Sequence, residues 1–88
     1  MATIKTEIRS GVYYDSAKLM QLQRSLATLP GIQDAGVVMG TESNKELLAH
    51  INLVTKEIED AKPDDLVIAV RGEDENSVED ALGKVDEL

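Results

Sequence analysis

The segment Leu66-Val67-Ile68-Ala69-Val70 constrains this chain more than any other part of it. Five aliphatic residues follow one another, with the turn-forming Pro63-Asp64-Asp65 before them and Arg71-Gly72 after. A β-branched run between a turn and a breaker is the strongest strand signal in the sequence. A second run, Asp34-Ala35-Gly36-Val37-Val38-Met39, also predicts a strand with little solvent on either face. Gly36 within it would allow a helix to approach closely.

The remaining elements follow from period and punctuation. Thr3 to Val12 alternates, with Ile4, Thr6, Ile8, Ser10 and Val12 on one side and Lys5, Glu7, Arg9 and Gly11 on the other. That pattern predicts a half-buried strand. Asp15 or Ser16 can cap a helix whose apolar face is Leu19, Leu22, Leu26 and Leu29, stopped by Pro30-Gly31. Ser43 with Glu46 matches a capping box and opens a short helix through Leu47, Leu48 and Ile51. Asn52 to Lys62 is ambiguous. Ser77 with Asp80 starts a final helix carrying Val78, Ala81, Leu82, Val85 and Leu88 at helical period.

With 88 residues and no internal repeat, low-complexity tract or linker, the expectation is one small domain over residues 1–88. Hydrophobic residues make up 42% of it while aromatics make up 2%, so the core is aliphatic. The order strand, helix, strand, short helix, strand, helix fits two architectures. One is an α+β, ferredoxin-like two-layer plait with its fourth strand missing or beyond Leu88, which the polar side of the first strand favours. The other is a small parallel three-stranded α/β sheet, which the continuous apolar runs favour. In the plait the second strand is expected to run against the first, setting its Met39-Gly40-Thr41 end opposite the Ser10-Gly11 loop.

Charge and donor chemistry narrow the function. Nine Lys and Arg against 17 Asp and Glu give a net charge of -8, the wrong sign for nucleic acid or an anionic membrane surface. Cysteine is absent and His50 is the one histidine, which excludes a disulfide, a Cys nucleophile and a zinc site built on two or more Cys or His. No metal ligands and no catalytic residues are assigned. No apolar run approaches the ~18 residues that span a bilayer, and the start lacks a basic stretch followed by an apolar one, so the expectation is cytoplasmic. Val85-Asp86-Glu87-Leu88 is taken as the acidic end of a helix rather than a retention signal.

Met39-Gly40-Thr41-Glu42-Ser43-Asn44-Lys45 is the best candidate for chemistry. It leaves a strand and opens a helix, so Gly40, Thr41, Asn44 and Lys45 could converge on an anionic metabolite through amides, a hydroxyl and an ammonium. A turn glycine before an ordinary cap accounts for most of it, but capping alone does not explain Asn44. His50 near a helix C-terminus has no adjacent nucleophile motif. Asp64-Asp65 and Glu73-Asp74-Glu75 lack calcium-loop spacing and are expected as solvated turns or helix-start charges. Tyr13-Tyr14 is expected to anchor the helix entry, and Arg71 to pair with the neighbouring acids.

Several blocks carry a family resemblance: Tyr14-Asp15-Ser16 with Leu19-Met20, Leu29-Pro30-Gly31-Ile32, Val37-Val38-Met39-Gly40-Thr41, Asn44-Lys45-Glu46-Leu47-Leu48, and Pro63 through Val70. Together they resemble the N-terminal region of FdrA proteins, relatives of the acyl-CoA synthetase (succinyl-CoA ligase) α-subunit, over nearly the whole chain. The resemblance implies that a CoA-ligase-type Rossmann domain and a second α/β domain follow in the full-length protein. Members in purine-ureide breakdown are associated with carbamoyl transfer yielding oxamate and carbamoyl phosphate. The superfamily's active-site histidine belongs to those later domains, so that role is not carried to His50, and CoA or nucleotide would bind only in the parent enzyme. The expectation is therefore a non-catalytic accessory domain, without a cofactor of its own, whose partners are other domains of the parent protein or a second copy. A small-molecule anion sensor and a structural dimerisation module are the alternatives.

Overall fold

The computed structural model describes residues 3–11 and 14–85. Its elements are β1 (Thr3–Arg9), α1 (Ser16–Ala27), β2 (Ile32–Met39), α2 (Glu42–His50), α3 (Lys56–Asp60), β3 (Leu66–Gly72) and α4 (Glu75–Gly83). Val12, Tyr13 and residues 86–88, to which the sequence assigned a strand end, an anchoring ring and the last turn of a helix, lie outside the described residues.

The sheet order is β1-β3-β2, with β3 antiparallel to both neighbours. This is the α+β plait, and the parallel alternative fails because no adjacent pair of strands is parallel. The direction expected for the second strand needs correction. Thr3 and Ile32 both face Gly72, while Arg9 and Met39 both face Leu66, so β1 and β2 run the same way with β3 inserted between them. A helix joining two strands across a gap carries the chain back to its starting end, and α1 does this here.

β3 explains the architecture. Leu66 through Val70 are all 0% exposed, so both of its faces are covered. Leu66, Ile68 and Val70 join Ala35 and Val37 of β2 beneath Leu22 and Leu26 of α1 and Val78 and Ala81 of α4. Tyr14, next to the α1 cap, packs at the edge of this cluster, as an anchoring ring should. Val67 and Ala69 point to the other face, where Leu48 of α2, Leu53, Ile58 of α3 and Ala61 cover them, with Ile4 and Ile8 of β1 alongside. The β2–β3 connection thus supplies a small cap on the face that a two-layer plait would leave bare.

The polar side of β1 does not mark an open face. Lys5, Glu7 and Arg9 stand opposite Val70, Ile68 and Leu66, on the side of α1 and α4. They are tolerated there because β1 is an edge strand, and Lys5 Nζ reaches across to α4, meeting Glu79 at 2.7 Å and Glu75 at 3.2 Å. Those two carboxylates hold the Lys5 ammonium above the usual lysine range.

Two of the helix starts differ from expectation, by two and three residues. Asp15 caps α1 as expected, its Oδ1 accepting from Lys18 N at 2.8 Å. The cap of α2 is Thr41 rather than Ser43, and that of α4 is Asp74 rather than Ser77. In both cases the strand ends early enough for the helix to start before the Ser, which then lies inside the first turn. Leu47 and Ile51, expected on the buried side of α2, are 55% and 40% exposed, and Leu48 alone of the three is buried. No helix among the described residues is long and apolar enough to cross a membrane.

Candidate functional site

The four residues singled out by sequence, Gly40, Thr41, Asn44 and Lys45, do come together, at the end of the sheet where β2 gives way to α2. Their polar atoms are turned to the protein itself. Thr41 Oγ1 accepts from Asn44 N at 3.2 Å and so caps α2. Asn44 Nδ2 donates to Met39 O at 2.9 Å, which ties the first turn of the helix back to the strand it left. That bond is the role that capping could not supply. Lys45 Nζ donates to Glu59 O at 3.0 Å and Ala61 O at 2.7 Å, with Glu42 at 3.8 Å. A cation on the last carbonyls of a helix is favoured by the unpaired C=O groups there, and here it pins α3 beneath α2.

Gly40 completes this junction through what it lacks. A Cβ on it would collide with Lys62 O and press on Ala61 Cβ at 3.2 Å. Its N–H donates to Asp65 O at 2.9 Å, so the backbone before β3 is drawn against the end of β2. An anion that took Asn44 Nδ2, Lys45 Nζ or Gly40 N would compete with these bonds for the same donors.

Asp65 is the residue that sequence reasoning missed. Expected as part of a solvated acidic turn, it is only 8% exposed and is the buried charged side chain among the described residues. Its Oδ2 accepts from Lys62 N at 3.0 Å. That bond, joined by the Ser10 hydroxyl at the end of β1, holds the carboxyl below the usual carboxylate range. The available signal was its position, an acid directly before a strand with no exposed residue. The end of the sheet thus gathers Ser10 just past β1, Gly40 just past β2 and Asp65 from the turn into β3.

The other candidates lie elsewhere. His50 is the last residue of α2 and is exposed. Asp74 caps α4 by accepting from Ser77 N at 2.8 Å, which lowers its carboxyl below the usual range, and Glu75 faces Lys5. Arg71 pairs across the sheet with Asp34 rather than with the acids that follow it, and it donates to Ile51 O at 3.2 Å.

With this geometry in place, comparison with known proteins assigns the chain. Residues 1–88 match the family described as AllF, heavy metal-associated domain. The chain belongs to that family. It is also similar to the uncharacterized protein YahF of Escherichia coli strain K12, at 36% identity over 86 residues, 98% of this chain. It spans only 17% of that relative's length. No solved structure matches it.

The family description names heavy metals, and the donors present do not fit one. Thiophilic ions are held by thiolate and imidazole, and this sequence has no cysteine and one histidine. Among the described residues no three His, Cys, Asp or Glu side chains lie close enough to share an ion.

Proposed function

We propose that the chain is a non-catalytic accessory module of a longer protein, serving association or regulation, and that the longer protein is of the FdrA type, related to acyl-CoA synthetases and carbamoyltransferases. One observation carries the reading: nearly the whole chain aligns with a small fraction of a much longer relative. The FdrA assignment is supported by the Tyr14-Asp15-Ser16 and Met39-Gly40-Thr41 to Asn44-Lys45 blocks. In the structure these blocks cap helices and tie α2 to its neighbours, the work of residues that keep a module in shape. Its partners in this reading are other domains of the longer protein or a second copy, in the cytoplasm, and any CoA or nucleotide is bound by the domains that follow.

Two measurements test it. The purified chain, assayed for acyl-CoA synthesis and carbamoyl transfer, is expected to show no turnover; turnover that disappears in His50→Ala overturns the proposal. In the longer protein, removing this module is expected to change the sedimenting mass or the response to effectors while the remaining domains stay active. Complete loss of turnover in a remainder that is still folded places the module in the catalytic machinery instead.

A further inference from the structure

We infer that this chain is a metal-independent member of its heavy-metal-associated family, and that the end of its sheet is closed by hydrogen bonds centred on Asp65. The inference goes beyond the accessory role, which would hold with or without a bound ion.

A site for Cu(I) or Zn(II) needs two to four soft or borderline donors aimed at one point, deprotonated and not already committed to other partners. Thiolates are absent from the sequence. The single imidazole, His50, is exposed at the end of α2 and cannot by itself make a site. The thioethers of the described residues are separated by environment: Met39 packs against the α1/α4 core, and Met20 is 61% exposed on α1. That leaves carboxylates, which favour hard cations, and no three of them converge with His or Cys among the described residues.

A preformed metal pocket has a second signature. With the ion removed, ligand atoms face one another without partners, and some are buried. Among the described residues no buried side-chain nitrogen or oxygen lacks a hydrogen bond. The sheet end shows how its own polar atoms are used. Asp65 Oδ2 accepts from Lys62 N and its carbonyl accepts from Gly40 N, with the Ser10 hydroxyl on the carboxylate's side of the turn. Asp65 N in turn donates to Lys62 O at 2.9 Å. The end of β2 and the turn into β3, distant in sequence, are joined there by donors and acceptors of the chain itself.

The experiment uses the purified chain, freed of metal with EDTA under reducing conditions and then titrated with Cu(I), Zn(II) and Co(II). The expected result is no saturable binding by calorimetry, no Co(II) ligand-field absorption, and the same melting temperature with EDTA as with metal in excess. An ion bound at a hundred times its Kd raises the melting temperature of a domain this small by roughly 10–20 °C. Stoichiometric binding of any of the three ions to the folded chain, or loss of structure in EDTA, overturns the inference. Its second half is read by amide exchange in Ser10→Ala and Asp65→Asn. Faster exchange at Gly40 and Lys62 is expected in both variants. Unchanged exchange at those amides in both removes Asp65 from the centre of the closure.

Discussion

The two faces of β3 are covered by different means. On the side of Leu66, Ile68 and Val70 lie helices of 12 and nine residues, each presenting an apolar stripe with two buried side chains and partly buried ones beside them. On the side of Val67 and Ala69 lie α2, whose one buried residue is Leu48, and α3, five residues long with Ile58 alone buried. A helix of one turn is not stable in water by itself, and one apolar side chain does not fix its direction. The second face therefore relies on bonds to backbone: Lys45 on the α3 carbonyls, Asn44 on Met39 O, and the close approach at Gly40. A long helix is positioned by the period of its hydrocarbon, a short one by what its ends are tied to.

The largest effect that can break this contrast is loss of core volume. Leu26→Ala, on the buried side of α1, is expected to cost about 2–5 kcal/mol in urea unfolding. Ile58→Ala is expected at the low end of that range, because α3 can detach while the rest of the core stays closed. Equal losses would mean that the two faces are sealed alike. Next is Gly40→Ala, which has to push the Lys62 backbone away and is expected to cost about 1–3 kcal/mol. Gly83→Ala, where a Cβ meets open space, serves as its control and is expected to be near neutral.

A smaller change sharpens the contrast instead of breaking it. Lys45→Met keeps the aliphatic stem and removes the ammonium. It is expected to cost about 1 kcal/mol, with faster amide exchange over 56–60 and none in α1 or α4. The smallest effect near neutral pH belongs to Asp65. Its carboxyl titrates lower in the folded chain than in the unfolded one, so its contribution is complete above the unfolded value near about pH 4 and is lost as pH falls through the folded value. Asp65→Asn is expected to flatten that acid limb in a melting-temperature series. Asp74 titrates in the same direction and leaves part of the slope in place.

The same contrast decides what was legible in the sequence. The first face was, because Leu22, Leu26, Val78 and Ala81 announce themselves by helical spacing and β3 by its unbroken aliphatic run. The second face was only half legible. Five residues are too few to show a period, so α3 fell within a stretch that the pattern left ambiguous. Leu47 and Ile51 looked like core and are exposed, because tethering through Lys45 and Asn44 sets the rotation of α2. Four residues of the candidate site were found by their types, but the partners of Lys45 lie 14 to 16 residues away, and Asp65, whose carbonyl meets Gly40 N from the neighbouring strand end, was missed. Ser43 and Ser77 fit the capping pattern, yet a cap is set by where the preceding strand ends, which pairing within the sheet decides. Strand direction was misjudged for the same reason, since it depends on an insertion between β1 and β2 that neither of them encodes.

That insertion has a consequence during synthesis. The two outer strands leave the ribosome first, lie a strand's width apart in the finished sheet, and never hydrogen-bond to each other. Until residues 66–72 emerge there is no sheet to join, only helical segments and two extended ones that do not pair. Any product terminated before that point lacks the axis of the molecule, however complete its first helix.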